Sequence, residues 1–325
     1  MSLERRRIGT TGPEVSVLAL GSWHTYDRID FHACVQLLRA AIDAGITFFD
    51  VGVYGGVPVD GPGSPISYSH TDVIFGRAME VAGVAREEYV LSEKLWLEQW
   101  PERGLGEQLQ RALDRVGTDY ADFAVLGDIR TPDLDLHRLV EDLAEVVRSG
   151  RLRSWGVNNW SVANLRRTHE IAREGGLPGP QLAQLKYSVC RRAVADGEPF
   201  RELFAESGIS LEASDIFEGG ILAGSSGSAR PVGRDPGDLR PSIADAAPRA
   251  AAIAAELGVT PAQLAVAFCL THAAAATVLF GASRIEQLQE NLGALDLLRR
   301  VGADALRERV TSLALDAGIV DPSGA

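Results

Sequence analysis

Short apolar runs suited to β-strands alternate with helical patterns along nearly all of this chain, and that alternation limits the folds open to it. The runs fall at 17–20, 46–49, 89–91, 121–126, 152–156, 181–185, 209–213 and 277–280. The first seven are spaced by about 25–45 residues, enough for a strand, a turn, a helix and a return. Residues 31–44, 105–116 and 136–147 repeat apolar side chains every three or four positions and end at Gly45, Gly117 and Gly150, the residue type that most often stops a helix. Ser161 is placed to cap a helix running to Arg173, and Asp245 one over 246–257. Thr260-Pro261 opens another, since proline suits a first helical turn. Eight uninterrupted strand–helix units predict a parallel sheet closed on itself: α/β, a single (β/α)8 TIM barrel over residues 1–325, its tail from about 302 partly peripheral. A doubly wound open sheet would carry a glycine-rich phosphate loop after its first strand, which Gly21-Ser22-Trp23-His24-Thr25-Tyr26 is not. Residues 5–10 and 14–16 flank Thr11-Gly12-Pro13 and predict an N-terminal β-hairpin closing the barrel bottom.

Composition narrows the partners. No run of about 18 uncharged apolar residues exists, so no membrane-spanning helix is expected. A net charge of −12 without a basic tract argues against nucleic acid and anionic membranes. The N-terminal charges have no apolar run behind them, so no secretory signal is expected. Three cysteines, Cys34, Cys190 and Cys269, with no CxxC pair predict no disulfide framework and a cytoplasmic setting. The six histidines lack ligand spacing, so no metal is expected. A small-molecule substrate remains as the partner, and a homo-oligomer is left open.

Segments 55–70 and 224–241, crowded with proline, glycine and serine, follow the second and seventh strands. In a barrel both fall on the C-terminal face, where ligands bind. Asp50 directly follows the second strand, Tyr54 lies four residues on, and Lys94 ends the third strand, so all three project at one mouth. A tyrosine with a pKa of about 10 is a poor acid at neutral pH. A neighbouring ammonium makes it a better donor, and a carboxylate keeps that ammonium charged and oriented. Such a group would serve carbonyl reduction by a hydride-carrying cofactor.

At this point the sequence resembles the aldo-keto reductases, over nearly its whole length. Phe49-Asp50-Val51-Gly52-Val53-Tyr54-Gly55 is similar to that family's FDTAxxYG, and Ser92-Glu93-Lys94 to its (S/T)K strand end. The stretch from Gly150 to Trp160 is similar to GKIRxxGVSNF, and Gln184-Leu185-Lys186-Tyr187-Ser188 to QxxYN. The stretch from Gly281 to Asn291 is similar to GxSxxxQxxEN. The resemblance implies an NADPH-dependent oxidoreductase with Asp50, Tyr54 and Lys94 as its catalytic group. It implies that Asn158, Asn159 and Gln184 hold the nicotinamide carboxamide, with Tyr187 near or stacked on the ring. It implies that Gly281, Ser283, Arg284, Gln287, Glu290 and Asn291 bind the adenosine phosphate end. A helix N-terminus there would attract the anion independently.

The sequence also departs from that pattern. Where the family carries a histidine after the fourth strand, Gly127 stands here, and a space for a bulkier substrate is expected beside it. Asp128, or His24 after the first strand, offers an alternative polar group at the mouth. After the seventh strand Asp215 stands where the family has a proline, in a loop that the resemblance implies passes over the pyrophosphate. Trp23, Tyr26, Trp96 and Trp160 all follow strand ends and either line an aromatic substrate pocket or pack under loops. A related reading keeps the barrel as an NADPH-binding regulatory or sensing protein with little turnover.

Overall fold

Eight parallel strands close into a barrel, and a short antiparallel hairpin plugs its floor. In the computed structural model, residues 3–54, 69–131, 133–224 and 235–322 are described. The hairpin pairs β1 (Arg5–Arg7) with β2 (Glu14–Ser16). The barrel strands are β3 (Leu18–Gly21), β4 (Phe48–Gly52), β5 (Val90–Leu95), β6 (Ala121–Leu126), β7 (Leu152–Asn158), β8 (Leu182–Lys186), β9 (Ser210–Ser214) and β10 (Ala275–Phe280), with β10 closing on β3. Around them run α1 (Phe31–Asp43), α2 (Thr71–Val81), α3 (Leu105–Val116), α4 (Leu136–Arg148), α5 (Val162–Gly175), α6 (Ala193–Asp196), α7 (Glu198–Ser207), α8 (Arg240–Glu256), α9 (Pro261–Leu270), α10 (Ile285–Leu292), α11 (Ala294–Val301) and α12 (Ala303–Arg309). The expected (β/α)8 barrel with its N-terminal hairpin is therefore the observed architecture.

Two apolar layers hold it. Inside the barrel, Ala19, Phe48, Phe123, Val125 and Leu182 form a floor on which Ile8 and Val15 of the hairpin sit. Outside, the alternate face of each strand packs against the helices. Each strand serves both layers because successive side chains point to opposite faces.

The caps explain the helix starts. Ser161 Oγ accepts from Asn164 N, and Thr260 with Gln263 forms a reciprocal capping box. Asp245 is not a cap, because α8 begins five residues earlier, at Arg240. The Asp235 carboxylate accepts from Leu239 N and Arg240 N and takes the capping role. The tail expected to be partly peripheral packs well past residue 302. Leu306, Val310 and Leu313 are fully buried, and Asp316 accepts from Arg192 N and Ala193 N. The irregular segments expected after the second and seventh strands lie largely outside the described residues, at 55–68 and 225–234.

Helix α2 has no clear sequence signal, because Gly76 interrupts it. That glycine lets α2 cross the end of α3 closely: a Cβ there would sit 1.9 Å from the Val116 carbonyl oxygen. Gly76→Ala is expected to destabilise the protein by about 1–3 kcal/mol, the range for overpacking a tight contact. Equilibrium urea unfolding measures it, and an unchanged midpoint would contradict this packing.

Candidate active site

The alternation that builds the floor also builds a polar layer above it. On β4, Phe48 points into the floor, so Asp50 points inward two residues later. On β5 the register pairs Asp50 with Ser92 and Gly52 with Lys94, which puts Lys94 at the same mouth. Asp50 is 3% and Lys94 7% exposed, and Lys94 Nζ lies 3.6 Å from Asp50 Oδ2. Lys94 Nζ also donates to Gln184 Oε1 at 2.5 Å. The Gln184 amide donates to Asp50 Oδ2 at 3.0 Å and to Glu212 Oε2 at 2.8 Å. Glu212 on β9 is fully buried and belongs to none of the motifs named above. Its signal in the sequence is a lone acid between Leu211 and Ala213 in an apolar strand.

Tyr54 joins the group at the rim. Its ring lies 6.3 Å from Trp23 and edge-on to Trp96 at 5.9 Å, and it is 8% exposed. Gly52 gives it room: a Cβ there would meet Lys94 Cβ at 2.9 Å and Tyr54 Oη at 3.2 Å. Burial pushes the Tyr54 hydroxyl well above the usual tyrosine range, and the Asp50 charge adds to this, while the nearby Ser22 hydroxyl opposes it. The expected lowering by Lys94 is absent from that balance, because the ammonium is directed at Gln184 and Asp50.

The space expected beside Gly127 is filled. A Cβ on Gly127 would lie 2.9 Å from Trp96 Cε3. The Trp96 indole is held there by its N–H, which donates to Val53 O at 2.9 Å. Trp160 does not line the mouth. It is 1% exposed, and its indole N–H donates to Gly127 O. Tyr26 is likewise buried, stacked on Phe75. Trp23 and Trp96 flank Tyr54, and the His24 ring packs 4.7 Å from Trp23. Gly127→His should therefore destabilise the protein by about 1–3 kcal/mol through overpacking. The loss should shrink in the Trp96→Ala background, and a double-mutant cycle of thermal unfolding reads this coupling. Additive effects would contradict the contact.

The residues expected to hold a nicotinamide dinucleotide fall into two sets. Asn159 has a left-handed backbone (φ +50°), and its N–H donates to Gln184 O at 2.9 Å. Asn158 Nδ2 donates to Asp128 Oδ1 at 2.5 Å, so Asp128 anchors the rim amides. Gln184 already has both ends of its amide bonded inside the barrel. Tyr187 is not at the mouth. It follows β8 on the outward face, stacks on Phe268, and hydrogen-bonds Asp196 and Arg307. Lys186, one residue earlier, takes the inward position and pairs with Asp215. That pairing offsets the acid standing where the family has proline.

At the other end, Gly281 follows β10, and the Ser283 N–H and hydroxyl both bond Gln287 Oε1 at 2.9 and 3.1 Å. Arg284 stands exposed at the N-cap of α10 and makes no ion pair among the described residues. Asn291 is buried and Glu290 half-buried on the same helix. An open guanidinium at a helix N-terminus suits a phosphate dianion. The residues present thus fit the phosphate end of the cofactor, and at the nicotinamide end Asn158, Asn159 and Gln184 lie together at the mouth while Tyr187 does not.

One buried acid beside the site serves neither set. Glu93 shares the outward face of β5 with Leu91 and Leu95, and both its oxygens lack hydrogen-bond partners among the described residues. Burial, then the Asp72 and Asp50 charges, push its carboxyl far above the usual range. A carboxyl raised in the folded state favours folding at low pH, and that stabilisation is lost as pH rises from about 4.5 towards the folded pKa. Glu93→Gln should flatten this decline, which urea unfolding at a series of pH values would show. An equally steep decline in the variant would contradict the assignment.

The aldo/keto reductase family model matches residues 17–301, from the first barrel strand through α11. A rice (Oryza sativa subsp. japonica) protein named probable voltage-gated potassium channel subunit beta is 30% identical over 322 residues, covering 91% of this chain and 92% of the relative. With the closed barrel and the Asp50–Lys94 pair at its mouth, these matches lead to one conclusion: the chain belongs to the aldo/keto reductase family, a family of NAD(P)H-dependent oxidoreductases.

Proposed function

We propose that this protein is an NADPH-dependent oxidoreductase that reduces a carbonyl or related double bond of a small organic or natural-product substrate. The observation that carries the reading is the buried Asp50–Lys94 pair beneath a tyrosine flanked by two tryptophans. The cofactor, when bound, supplies the hydride. Arg284, Ser283 and Gln287 would hold its adenosine phosphate, and Asn158 and Asn159 its carboxamide. Tyr54 donates the proton to the substrate oxygen, Lys94 favours the phenolate that results, and Asp50 orients Lys94. Trp23 and Trp96 keep water from the reacting oxygen.

With Trp96 filling the space beside Gly127, one usual hydrogen-bond donor to that oxygen is missing. Loss of such a donor typically costs about 2.7–4 kcal/mol in the transition state. Simple aldehydes should therefore be reduced slowly, and a substrate bringing its own polar group, met by Asp128 or His24, should react faster. A panel of both substrate types, followed by NADPH absorbance, tests this. Equal kcat/KM across the panel would count against the assignment.

The name of the rice relative supports a second reading, in which the barrel binds NADPH as a regulatory or sensing subunit. That reading predicts tight NADPH binding and no consumption across the same panel.

A further inference from the structure

Glu212 lies within the barrel with no role in the chemistry described above. Its register partners are Gln184 on β8 and Thr277 on β10, so it sits in the same polar layer as the catalytic group. One Gln184 amide nitrogen donates to both Glu212 and Asp50, while the amide oxygen of Gln184 receives Lys94. The second oxygen of Glu212, one oxygen of Asp50 and the hydroxyls of Ser92 and Thr277 have no hydrogen-bond partner among the described residues. Two carboxyl groups and one ammonium thus share a single amide in a layer closed to solvent.

We propose that Glu212 is a positioning residue for the Asp50–Lys94 pair, acting through Gln184, and that loss of its proton weakens the catalytic group. The inference rests on the proposed function above.

Two ionised carboxylates beside one lysine would leave a buried net negative charge, which is costly. A neutral Glu212 avoids that cost, and its carbonyl oxygen still accepts the Gln184 N–H. Burial, then the Asp50 charge, push the Glu212 carboxyl up to about 8, against the opposing pull of Lys94. The other titratable groups facing this layer are Tyr54 at the rim, which stays neutral, and Lys186, whose charge is matched by Asp215. From β3, β6 and β7 the inward positions carry no charge: Ala19 and Gly21, Phe123 and Val125, Ser154 and Asn158. When Glu212 ionises, it draws the Gln184 amide towards itself and adds negative charge to the layer. That charge disfavours the Tyr54 phenolate, so Tyr54 becomes a weaker donor.

The test uses the full chain and the variants Glu212→Gln and Glu212→Leu. Infrared difference spectra between wild type and Glu212→Gln should show a protonated-carboxyl stretch that disappears with a midpoint near 8. The Gln184 side-chain amide resonance in a 15N-labelled sample should move with the same midpoint in wild type and stay fixed in Glu212→Gln. In turnover, the alkaline limb of kcat should move up by at least about one pH unit in Glu212→Gln, the lower end of single-charge effects. Glu212→Leu, which cannot accept from Gln184, should be the slower variant, and glutamine should restore part of its rate. A Glu212 ionised at every pH, a Gln184 resonance blind to it, an unmoved limb, or equal rates for the two variants would each overturn the proposal. Should the wild type turn over no carbonyl at all, the proposed function fails, while the infrared and amide titrations still decide the role of Glu212.

Discussion

Replacing Tyr54 by phenylalanine is expected to lower turnover by at least about 10²-fold, the lower range for a positioned general acid, with little change in NADPH affinity. The ring keeps its place between Trp23 and Trp96, so the mouth retains its shape. Only the hydroxyl is lost, together with the proton it gives to the substrate oxygen. The buried hydroxyl holds its proton tightly, so it gives that proton up only when a positive charge offsets the phenolate left behind. For that reason Lys94→Met should be slow as well, with the larger loss at neutral pH. The measurement is kcat for the best substrate of the panel, with cofactor affinity followed by tryptophan fluorescence. A phenylalanine variant that keeps near-normal turnover would remove Tyr54 from the mechanism and leave Asp128 or His24 as the acid.

Arg284→Ala carries the second large effect. The guanidinium is exposed at the start of α10, directed by no ion pair among the described residues, where the helix N-terminus already favours an anion. A charge-assisted contact to the 2′-phosphate is worth about 1.5–3 kcal/mol, or roughly ten- to a hundredfold in affinity. Wild type should therefore prefer NADPH over NADH by that factor, and the alanine variant should lose most of the preference while binding NADH as before. Parallel fluorescence titrations with both cofactors give the ratio. Equal affinities in the unmodified protein would contradict the role given to Arg284.

The strand–helix alternation was legible because its physical cause is local: apolar runs of strand length separated by amphipathic helices that end at glycine. Strand ends were less legible where the barrel interior is polar. The apolar run of the third strand stops at Leu91 although the strand continues to Leu95, because Ser92 and Lys94 serve the polar layer and break the apolar pattern. The placement of Asp50, Lys94 and Tyr54 at one mouth followed from strand polarity alone. The direction of Tyr187 did not follow from the motif, although the alternation through Gln184 and Lys186 assigns it to the outer face. Contacts between different strands were not legible. Trp96 filling the space at Gly127, Gln184 joining Asp50 to Glu212, and Lys186 answering Asp215 all depend on which neighbours the barrel closure brings together.

Transfer of hydride from NADPH to carbon tests the central claim most directly. NADPH deuterated at nicotinamide C4 is mixed in single turnover with the protein and the panel carbonyls, and the products are read by mass spectrometry. Deuterium is predicted at the former carbonyl carbon, with the rate falling at least about 10²-fold in Tyr54→Phe. Cofactor that binds and keeps its deuterium against every carbonyl would contradict the oxidoreductase account and leave a cofactor-binding barrel.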